Sequence, residues 1–244
     1  MSIPELLSPA GNLDCAVAAL EYGADAVYLG MSRFSARADV ENFTGEDLNT
    51  LIGYAHGLPR PRRVHVTVNT ILRNDEIDDA LKILELLRDN QVDAVIVQDL
   101  GVARLIRKYF PELTMHASTQ LAIHNEAGMI AARELGFKRA IPSRELTLNE
   151  IRQLADVPGI ELEVFVHGAL CYAYSGLCLL SSVLRDSSGN RGECSYFCRN
   201  NFKVESCKRH LLDSGCTIMS MKDLALPDMI RQFSSAGVAS LKIE

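Results

Sequence analysis

The chain has 244 residues, 48% of them hydrophobic, and its 31 acidic residues exceed its 25 Lys and Arg residues to give a net charge of −6. This composition is typical of a globular protein and excludes a broad basic surface of the kind that binds DNA irrespective of sequence. No apolar run reaches the roughly 18 to 20 residues that cross a membrane, and the N-terminus lacks the pattern of a secretory signal, so we expect a cytoplasmic protein without membrane contact.

Short apolar segments alternate with amphipathic segments of helical length along the chain. Two of the latter, Leu13 to Tyr22 and Ile77 to Leu87, repeat apolar residues at the spacing of a helix that packs one face against a core. The predicted strands are, in chain order, Glu5 to Leu7, Ala26 to Leu29, Val64 to Val68, Ala94 to Val97, Thr114 to His116, Arg139 to Ile141, Glu161 to Val166 and Ser240 to Ile243.

Eight strands in alternation with helices predict an α/β fold with a parallel sheet. The strand count and the length favour a (β/α)8 TIM-like barrel that forms a single domain over residues 1–244, with a doubly wound open sheet as the alternative. Residues 168–235 separate strands seven and eight, and we expect a cysteine-rich elaborated loop and a following helix there. Because the chain stops at strand eight, the last helix is missing, and a partner chain or a missing C-terminal domain is expected to supply its cover.

Polar side chains follow nearly every predicted strand, at the end where barrel enzymes bind their ligands. We therefore expect a concave site for a small polar or anionic molecule, although solvated strand ends explain any one residue equally well. For His116 and His167 the alternative is a structural role as hydrogen-bonded residues of the barrel. For Arg144 and Glu145 the alternative is an internal ion pair. The candidate catalytic residues are His116, Gln120, His167, Arg144 and Glu145, and the candidate substrate-binding residues are Asn12, Arg37, Asn69, Gln98 and Lys242.

Six of the seven cysteines fall within residues 171–216. In a reducing cytosol such clustering indicates metal or redox chemistry before disulfides. Cys171, Cys178, Cys194 and Cys198 follow the spacing C-x6-C, fifteen residues, then C-x3-C. This spacing fits a zinc ribbon poorly and favours an iron–sulfur cluster, while zinc and unligated thiols stay open. Cys15, on the first helix, is expected in the core.

Longer motifs surround these cysteines. The string Phe-Val-His-Gly-Ala-Leu-Cys runs from Phe165 to Cys171 and continues through Ala-Tyr-Ser-Gly to Cys178. It is accompanied by Glu-Leu-Leu-Ser-Pro-Ala-Gly-Asn at 5–12, Asn-Arg-Gly-x-Cys-x3-Cys-Arg at 190–199, Lys-Asp-Leu at 222–224 and Lys-Ile-Glu at 242–244. From about residue 3 to 244 the chain resembles the collagenase-like peptidase family of unassigned catalytic type, the U-type peptidases.

This resemblance implies a 4Fe-4S cluster whose ligands carry over to Cys171, Cys178 and Cys194. Some members place the fourth ligand directly after Lys-Asp-Leu, where this chain has Ala225, so Cys198 is the natural fourth ligand here. The family resemblance also implies oxygen-independent hydroxylation of a pyrimidine in ribosomal or transfer RNA, with prephenate as co-substrate. The residues after strands three to six look most like the branch that hydroxylates ribosomal RNA cytidine.

In that mechanism Arg37 and Arg144 would contact the small dicarboxylate, and His116, Gln120 and His167 would position groups or transfer protons. An excess of basic residues between 185 and 209 fits an RNA backbone contact and equally a solvated loop. Two other functions remain: a peptidase, as the family name suggests, and a non-catalytic iron–sulfur scaffold subunit of a hetero-oligomer.

Overall fold

The computed structural model of the chain describes residues 3–36, 42–206 and 209–244. The strands are β1 (Glu5–Pro9), β2 (Ala26–Gly30), β3 (Arg63–Val68), β4 (Ala94–Val97), β5 (Met115–Ala117), β6 (Arg139–Ala140), β7 (Glu161–Gly168), β8 (Phe202–Ser206), β9 (Arg209–Cys216), β10 (Leu224–Ala225) and β11 (Ser240–Ile243). The helices are α1 (Leu13–Glu21), α2 (Gly45–Gly57), α3 (Ile77–Asp89), α4 (Leu100–Tyr109), α5 (Glu126–Glu134), α6 (Leu148–Ala155), α7 (Leu180–Arg185) and α8 (Ile230–Ser235).

Strands β1 to β7 and β11 pair in parallel and close into a barrel. Leu7 of β1 aligns with Ala26 of β2 on one side and with Lys242 of β11 on the other, which joins the first strand to the last. The predicted TIM-like barrel is therefore confirmed, and the doubly wound alternative is wrong. Apolar residues of the helices, such as Leu84 of α3 and Ile106 of α4, are fully buried against the strands.

Several helices begin at a residue whose side chain accepts a hydrogen bond from one of the first backbone N–H groups, which have no partner within the helix. Asn12 caps α1 by accepting from the Cys15 N–H at 2.9 Å. The expectation that Cys15 is a core residue is wrong, because this residue is exposed. Helix α1 buries Ala16 and Leu20, and Cys15 lies about 100° around the helix from Ala16.

The interior of the barrel contains a connected set of charged residues, which we call the interior ladder: Glu5, Arg139, Glu163 and Lys242. One nitrogen of Arg139 lies 2.6 Å from a Glu5 oxygen and 3.1 Å from a Glu163 oxygen, and the Lys242 Nζ lies 3.3 Å from the other Glu163 oxygen. All four side chains are almost completely buried. The ladder runs from the amino ends of the strands to Lys242 near their carboxyl ends.

The segment between β7 and β11 is elaborated, as expected. It contains helix α7, an antiparallel hairpin of β8 and β9, and β10, which pairs antiparallel with the end of β7. Helix α8 then precedes β11, and in the described part of the chain no helix follows β11. Within the described ranges, none of the helices has the length and apolar character that a membrane crossing requires.

Candidate functional site

A cavity of about 380 Å³ opens at the carboxyl ends of the barrel strands. Buried strand residues such as Thr67 and Ile96 line it on the barrel side, and the segment after β7 lines it on the other. Four of the predicted polar residues line this cavity, together with all four predicted cluster ligands: Asn69, Gln120, Arg144, Lys242, Cys171, Cys178, Cys194 and Cys198.

The four cysteines surround a shared space. All are half-buried free thiols. Burial is the main cause that raises the pKa of the Cys171 thiol, and the neighbouring Cys198 and Cys178 thiols add to this shift. Among the described residues, no group of three or more His, Cys, Asp or Glu side chains gathers around a single ion position. The thiols thus face one cavity without meeting at one point.

Gly168 turns the chain from β7 towards this cavity. Its φ of +123° lies in a region that side chains rarely adopt, and a Cβ atom here would lie 2.7 Å from the Glu244 Cβ and 2.9 Å from the Glu244 carbonyl oxygen. Only glycine fits this position, so the turn that leads to Cys171 depends on it.

Glu145 fixes the loop between Cys171 and Cys178. Its carboxylate accepts hydrogen bonds from the Ser175 N–H at 2.8 Å and the Ser175 hydroxyl at 2.7 Å. Burial opposes ionisation, but these bonds hold the pKa of Glu145 below its ordinary value. Ser175 itself is buried and has a left-handed φ of 40°. Glu145 was predicted as catalytic; the structure places it outside the cavity lining, in a position that supports the loop.

Arg191 fastens the segment that contains Cys194 to the barrel. Its guanidinium donates to both Glu76 oxygens, at 2.7 and 2.9 Å, and to the Ile71 carbonyl at 2.9 Å. The Asn190 carbonyl accepts from the Ile71 N–H at 3.1 Å. The hydrogen bonds from Arg191 outweigh burial and lower the pKa of Glu76 to about 2.

We expect Glu76→Gln to lower the free energy of unfolding at pH 7 by about 1.5–3 kcal/mol, because a charge-assisted pair is lost. The folded pKa of Glu76 lies below its ordinary value of 4.5, so the pair stabilises the fold above that pH and this stabilisation is lost as the pH falls towards 2. Urea unfolding of both proteins at pH 7 and pH 3 measures this, and the difference should shrink at pH 3.

The matched control for that prediction is Glu85→Gln, since Glu85 forms an exposed ion pair with Arg88. We expect this substitution to change stability by less than about 1 kcal/mol at either pH. If Glu76→Gln lowers the free energy of unfolding by the same amount at both pH values, the ion pair is not the source of that loss.

Two cations line the cavity beside aromatic rings. The Arg144 Cζ lies 4.2 Å from the centre of the Phe165 ring, and one of its nitrogens lies 3.0 Å from a Glu244 oxygen. The Lys242 Nζ lies 4.0 Å from the centre of the Tyr28 ring. Burial lowers the pKa of Lys242, and the Glu163 carboxylate opposes that shift. These cations suit a small anion, and planar Arg144 suits a carboxylate in particular.

Gln120 and Asn69 complete the polar lining. The Gln120 Oε1 is buried and accepts no hydrogen bond from the described residues, so it can accept one from a ligand. The Asn69 Oδ1 accepts from the Ala36 N–H at 2.9 Å and orders the loop after β2.

The remaining candidates lie away from the cavity. His116 is buried inside the barrel, with its ring 4.9 Å from that of His65, and burial together with Arg139 and Lys242 lowers its pKa. His167 is exposed at the end of β7. Asn12 lines a separate cavity of about 190 Å³, Gln98 is buried outside the lining, and Arg37 lies outside the described residues.

Sequence reasoning did not select several residues that line the cavity. Tyr28 and Phe165 lie within apolar strands, where alternation does not reveal which residue faces the cavity. Tyr196 lies between Cys194 and Cys198, and Arg199 directly follows Cys198. Their closeness in sequence to two predicted ligands is the signal by which the sequence could have identified them.

The family model described as Peptidase family U32 matches residues 11–244. The chain is 42% identical over 203 residues to the "tRNA hydroxylation protein P" of Haemophilus influenzae. This alignment covers 83% of the chain and 44% of that relative. The chain is also 37% identical over 240 residues to the "23S rRNA 5-hydroxycytidine C2501 synthase" of Escherichia coli. This alignment covers 98% of the chain and 36% of that relative.

The "Collagenase" of Porphyromonas gingivalis is 31% identical over 260 residues and is matched over 98% of the chain and 60% of its own length. The chain thus spans between about a third and three fifths of these curated relatives. A solved structure described as the U32 peptidase Mk0906 aligns with a TM-score of 0.68, covering 100% of the chain and 93% of that structure. At 12% identity this likeness supports the fold alone.

Proposed function

We propose that the chain, which belongs to peptidase family U32, forms the catalytic barrel of an iron–sulfur enzyme that hydroxylates a pyrimidine in ribosomal or transfer RNA without molecular oxygen. The observation that carries this proposal is that four cysteines and two cations line one cavity at the carboxyl ends of the barrel strands. Two relatives whose names describe transfer RNA hydroxylation and ribosomal RNA hydroxycytidine synthesis support RNA as the substrate.

Cys171, Cys178, Cys194 and Cys198 would hold a 4Fe-4S cluster. A cluster of this kind takes one thiolate at each of four irons, so its ligands surround a volume, and four free thiols around one cavity fit that requirement. When bound, the cluster supplies one-electron transfer. Its place would be beside Arg144, whose charge favours the thiolate form of Cys171.

Prephenate, a small dicarboxylate, is the proposed co-substrate. Arg144 would bind one carboxylate and Lys242 the other, and the free Gln120 oxygen would accept a hydrogen bond from the base or the co-substrate. The net reaction exchanges a C–H bond of the base and a C–OH bond of the donor for a C–OH bond of the base and a C–H bond of the donor. The base loses two electrons and the donor gains them.

The cavity favours this function over a cysteine peptidase. Such a peptidase needs a histidine within hydrogen-bond reach of its thiol. None of the described residues that line the cavity is a histidine: His116 lies inside the barrel and His167 is exposed at the end of β7.

Anaerobic reconstitution tests the proposal directly. Protein purified without oxygen is assayed for iron and acid-labile sulfide, and then incubated with unmodified RNA and prephenate. We expect about four irons per chain and a mass increase of one oxygen on a pyrimidine only when both prephenate and iron are present. Zinc in place of iron, or peptide hydrolysis that survives iron removal, would return the function to a peptidase or a scaffold.

A further inference from the structure

Tyr196 differs from the other aromatic residues that line the cavity because it is 56% exposed. Tyr28 and Phe165 are already covered by Lys242 and Arg144. Across the described chain we find no hydrogen bond, ion pair or ring contact that engages the Tyr196 side chain. A face of its ring is therefore accessible at the rim of the site.

The backbone of Tyr196 is held in an unfavourable conformation. Its φ of 52° and ψ of 30° are left-handed, which is uncommon for a residue with a bulky side chain. The conformation is fixed from both sides, since the Ser195 N–H donates to the Ser181 hydroxyl at 3.1 Å and the Arg199 N–H donates to the Tyr196 carbonyl at 2.9 Å. Strain of this kind concentrates at functional sites, where it presents a side chain in a set direction.

An exposed cation packs on the residue that follows Tyr196 in the chain. The exposed Arg185 has its Cζ 5.5 Å from the centre of the ring of Phe197, the residue after Tyr196. An accessible aromatic ring beside an exposed cation is the arrangement by which proteins bind single-stranded nucleic acid, because the ring stacks on a base and the cation contacts the backbone.

We propose that Tyr196 is the platform on which the pyrimidine stacks as it enters the cavity, and that Arg185 contacts a neighbouring phosphate. This inference rests on the proposed function, because it takes RNA as the substrate. A base must leave its helical stack before its edge can be modified, and a ring at the cavity rim replaces the stacking that is lost. Tyr196 is thus a positioning residue, selective for an unpaired base and tolerant of its identity.

The test uses the reconstituted iron–sulfur protein and fluorescence anisotropy with two labelled probes of equal length, a single-stranded oligocytidylate and an abasic oligonucleotide. We expect Tyr196→Leu to bind the oligocytidylate roughly tenfold more weakly, and Tyr196→Phe to bind it within about twofold of wild type, because a phenyl ring stacks equally well. Neither substitution should change binding of the abasic probe. Arg185→Ala should weaken both probes alike and reduce their salt dependence.

The control is Tyr109→Leu, because Tyr109 is 51% exposed at the end of α4, away from the cavity, and should affect neither probe. Iron content is measured for every variant. If Tyr196→Leu loses iron, the affinities of the wild-type protein for the two probes provide the test instead. Wild-type protein that binds the abasic probe as tightly as the oligocytidylate overturns the inference. Unchanged oligocytidylate binding by Tyr196→Leu with full iron overturns it as well.

Kinetics separate this inference from the proposed function. If wild type hydroxylates RNA and Tyr196→Leu retains its kcat/KM, the stacking role fails and the enzyme function stands. If no hydroxylated base forms but Tyr196→Leu weakens oligocytidylate binding selectively, the stacking role stands and the enzyme function fails.

Discussion

Cys198→Ala is expected to abolish both the proposed 4Fe-4S cluster and the proposed RNA hydroxylation. Iron should fall well below the wild-type content of about four per chain, the EPR signal of the dithionite-reduced protein should disappear, and hydroxylated pyrimidine should drop to the background of the mass-spectrometric assay. The reason is geometric: Cys198 lines the same cavity as the other three cysteines, so its removal would leave one iron of the proposed cluster without a thiolate.

The structure explains why Cys198 and Cys171 stay together. Arg199, the next residue, donates to the Leu170 carbonyl at 3.1 Å, the Ser220 hydroxyl at 2.7 Å and the Met221 carbonyl at 2.8 Å. One guanidinium therefore ties the residue after Cys198 to the residue before Cys171. Ala225 stands at the alternative ligand position that the family resemblance implies. It belongs to β10, pairs with His167 of β7 and lies outside the cavity lining, which supports Cys198 as the fourth ligand.

Cys15→Ala is the matched control for Cys198→Ala. Cys15 is a free, exposed thiol on α1, so its removal should leave iron, EPR signal and hydroxylation at wild-type values. Circular dichroism should show a folded barrel for both variants. A Cys198→Ala protein that keeps its full iron would refute the proposed ligand set, and one that keeps hydroxylation without iron would refute the cluster's role.

The barrel could be predicted because its strands are short, apolar and separated by amphipathic helices. The predicted ranges of β4 and β11 match the structure, and β7 extends only two residues beyond its predicted end. Burial on both faces makes such strands continuous apolar runs, which a sequence displays plainly. The hairpin of β8 and β9 was not predicted, since charged residues interrupt any apolar alternation there.

The cavity could be predicted in part. Cysteine spacing identified residues that do line it, because ligands for one group must gather wherever the chain places them. The two histidines show the limit: His116 and His167 both end apolar strands, yet one is buried beside His65 and the other is exposed. Which polar residue of a strand faces the cavity depends on tilt and register around the barrel, and a single strand's sequence does not contain that information.

Arg139→Met is expected to lower the free energy of unfolding by about 3–5 kcal/mol, because it removes the buried cation that Glu5 and Glu163 share and leaves each carboxylate with one cation fewer. Arg139 is 3% exposed and contacts Glu5, Glu161 and Glu163, of which Glu5 and Glu163 are almost completely buried. Burial works against protonation of Arg139, but Glu163 and Glu5 raise its pKa above the ordinary value, so the guanidinium stays charged in the fold. Urea unfolding at pH 7, followed by circular dichroism, measures the loss.

Two further variants distinguish a charge effect from a loss of packing. Arg88→Met removes an arginine whose partners Glu85 and Asp89 are exposed, and it should cost less than about 1 kcal/mol. Adding Glu5→Gln to Arg139→Met removes one of the two buried carboxylates that had shared Arg139. Arg63, half-exposed, is the other partner of Glu5, and Lys242 still pairs with Glu163, so part of the stability should return.

The sign of the pH dependence provides a further check on the interior ladder. Burial raises the pKa of the Glu163 carboxyl, and Lys242 and Arg139 together lower it below its ordinary value. Arg139→Met removes one of these two cations, so the pKa of Glu163 in the fold rises relative to the wild type and its protonated form stabilises the variant increasingly as the pH falls. The difference in the free energy of unfolding between Arg139→Met and the wild type should therefore shrink as the pH falls towards 5. A deficit that is constant from pH 5 to 8, with no recovery from Glu5→Gln, would assign the whole effect to packing around the Arg139 side chain.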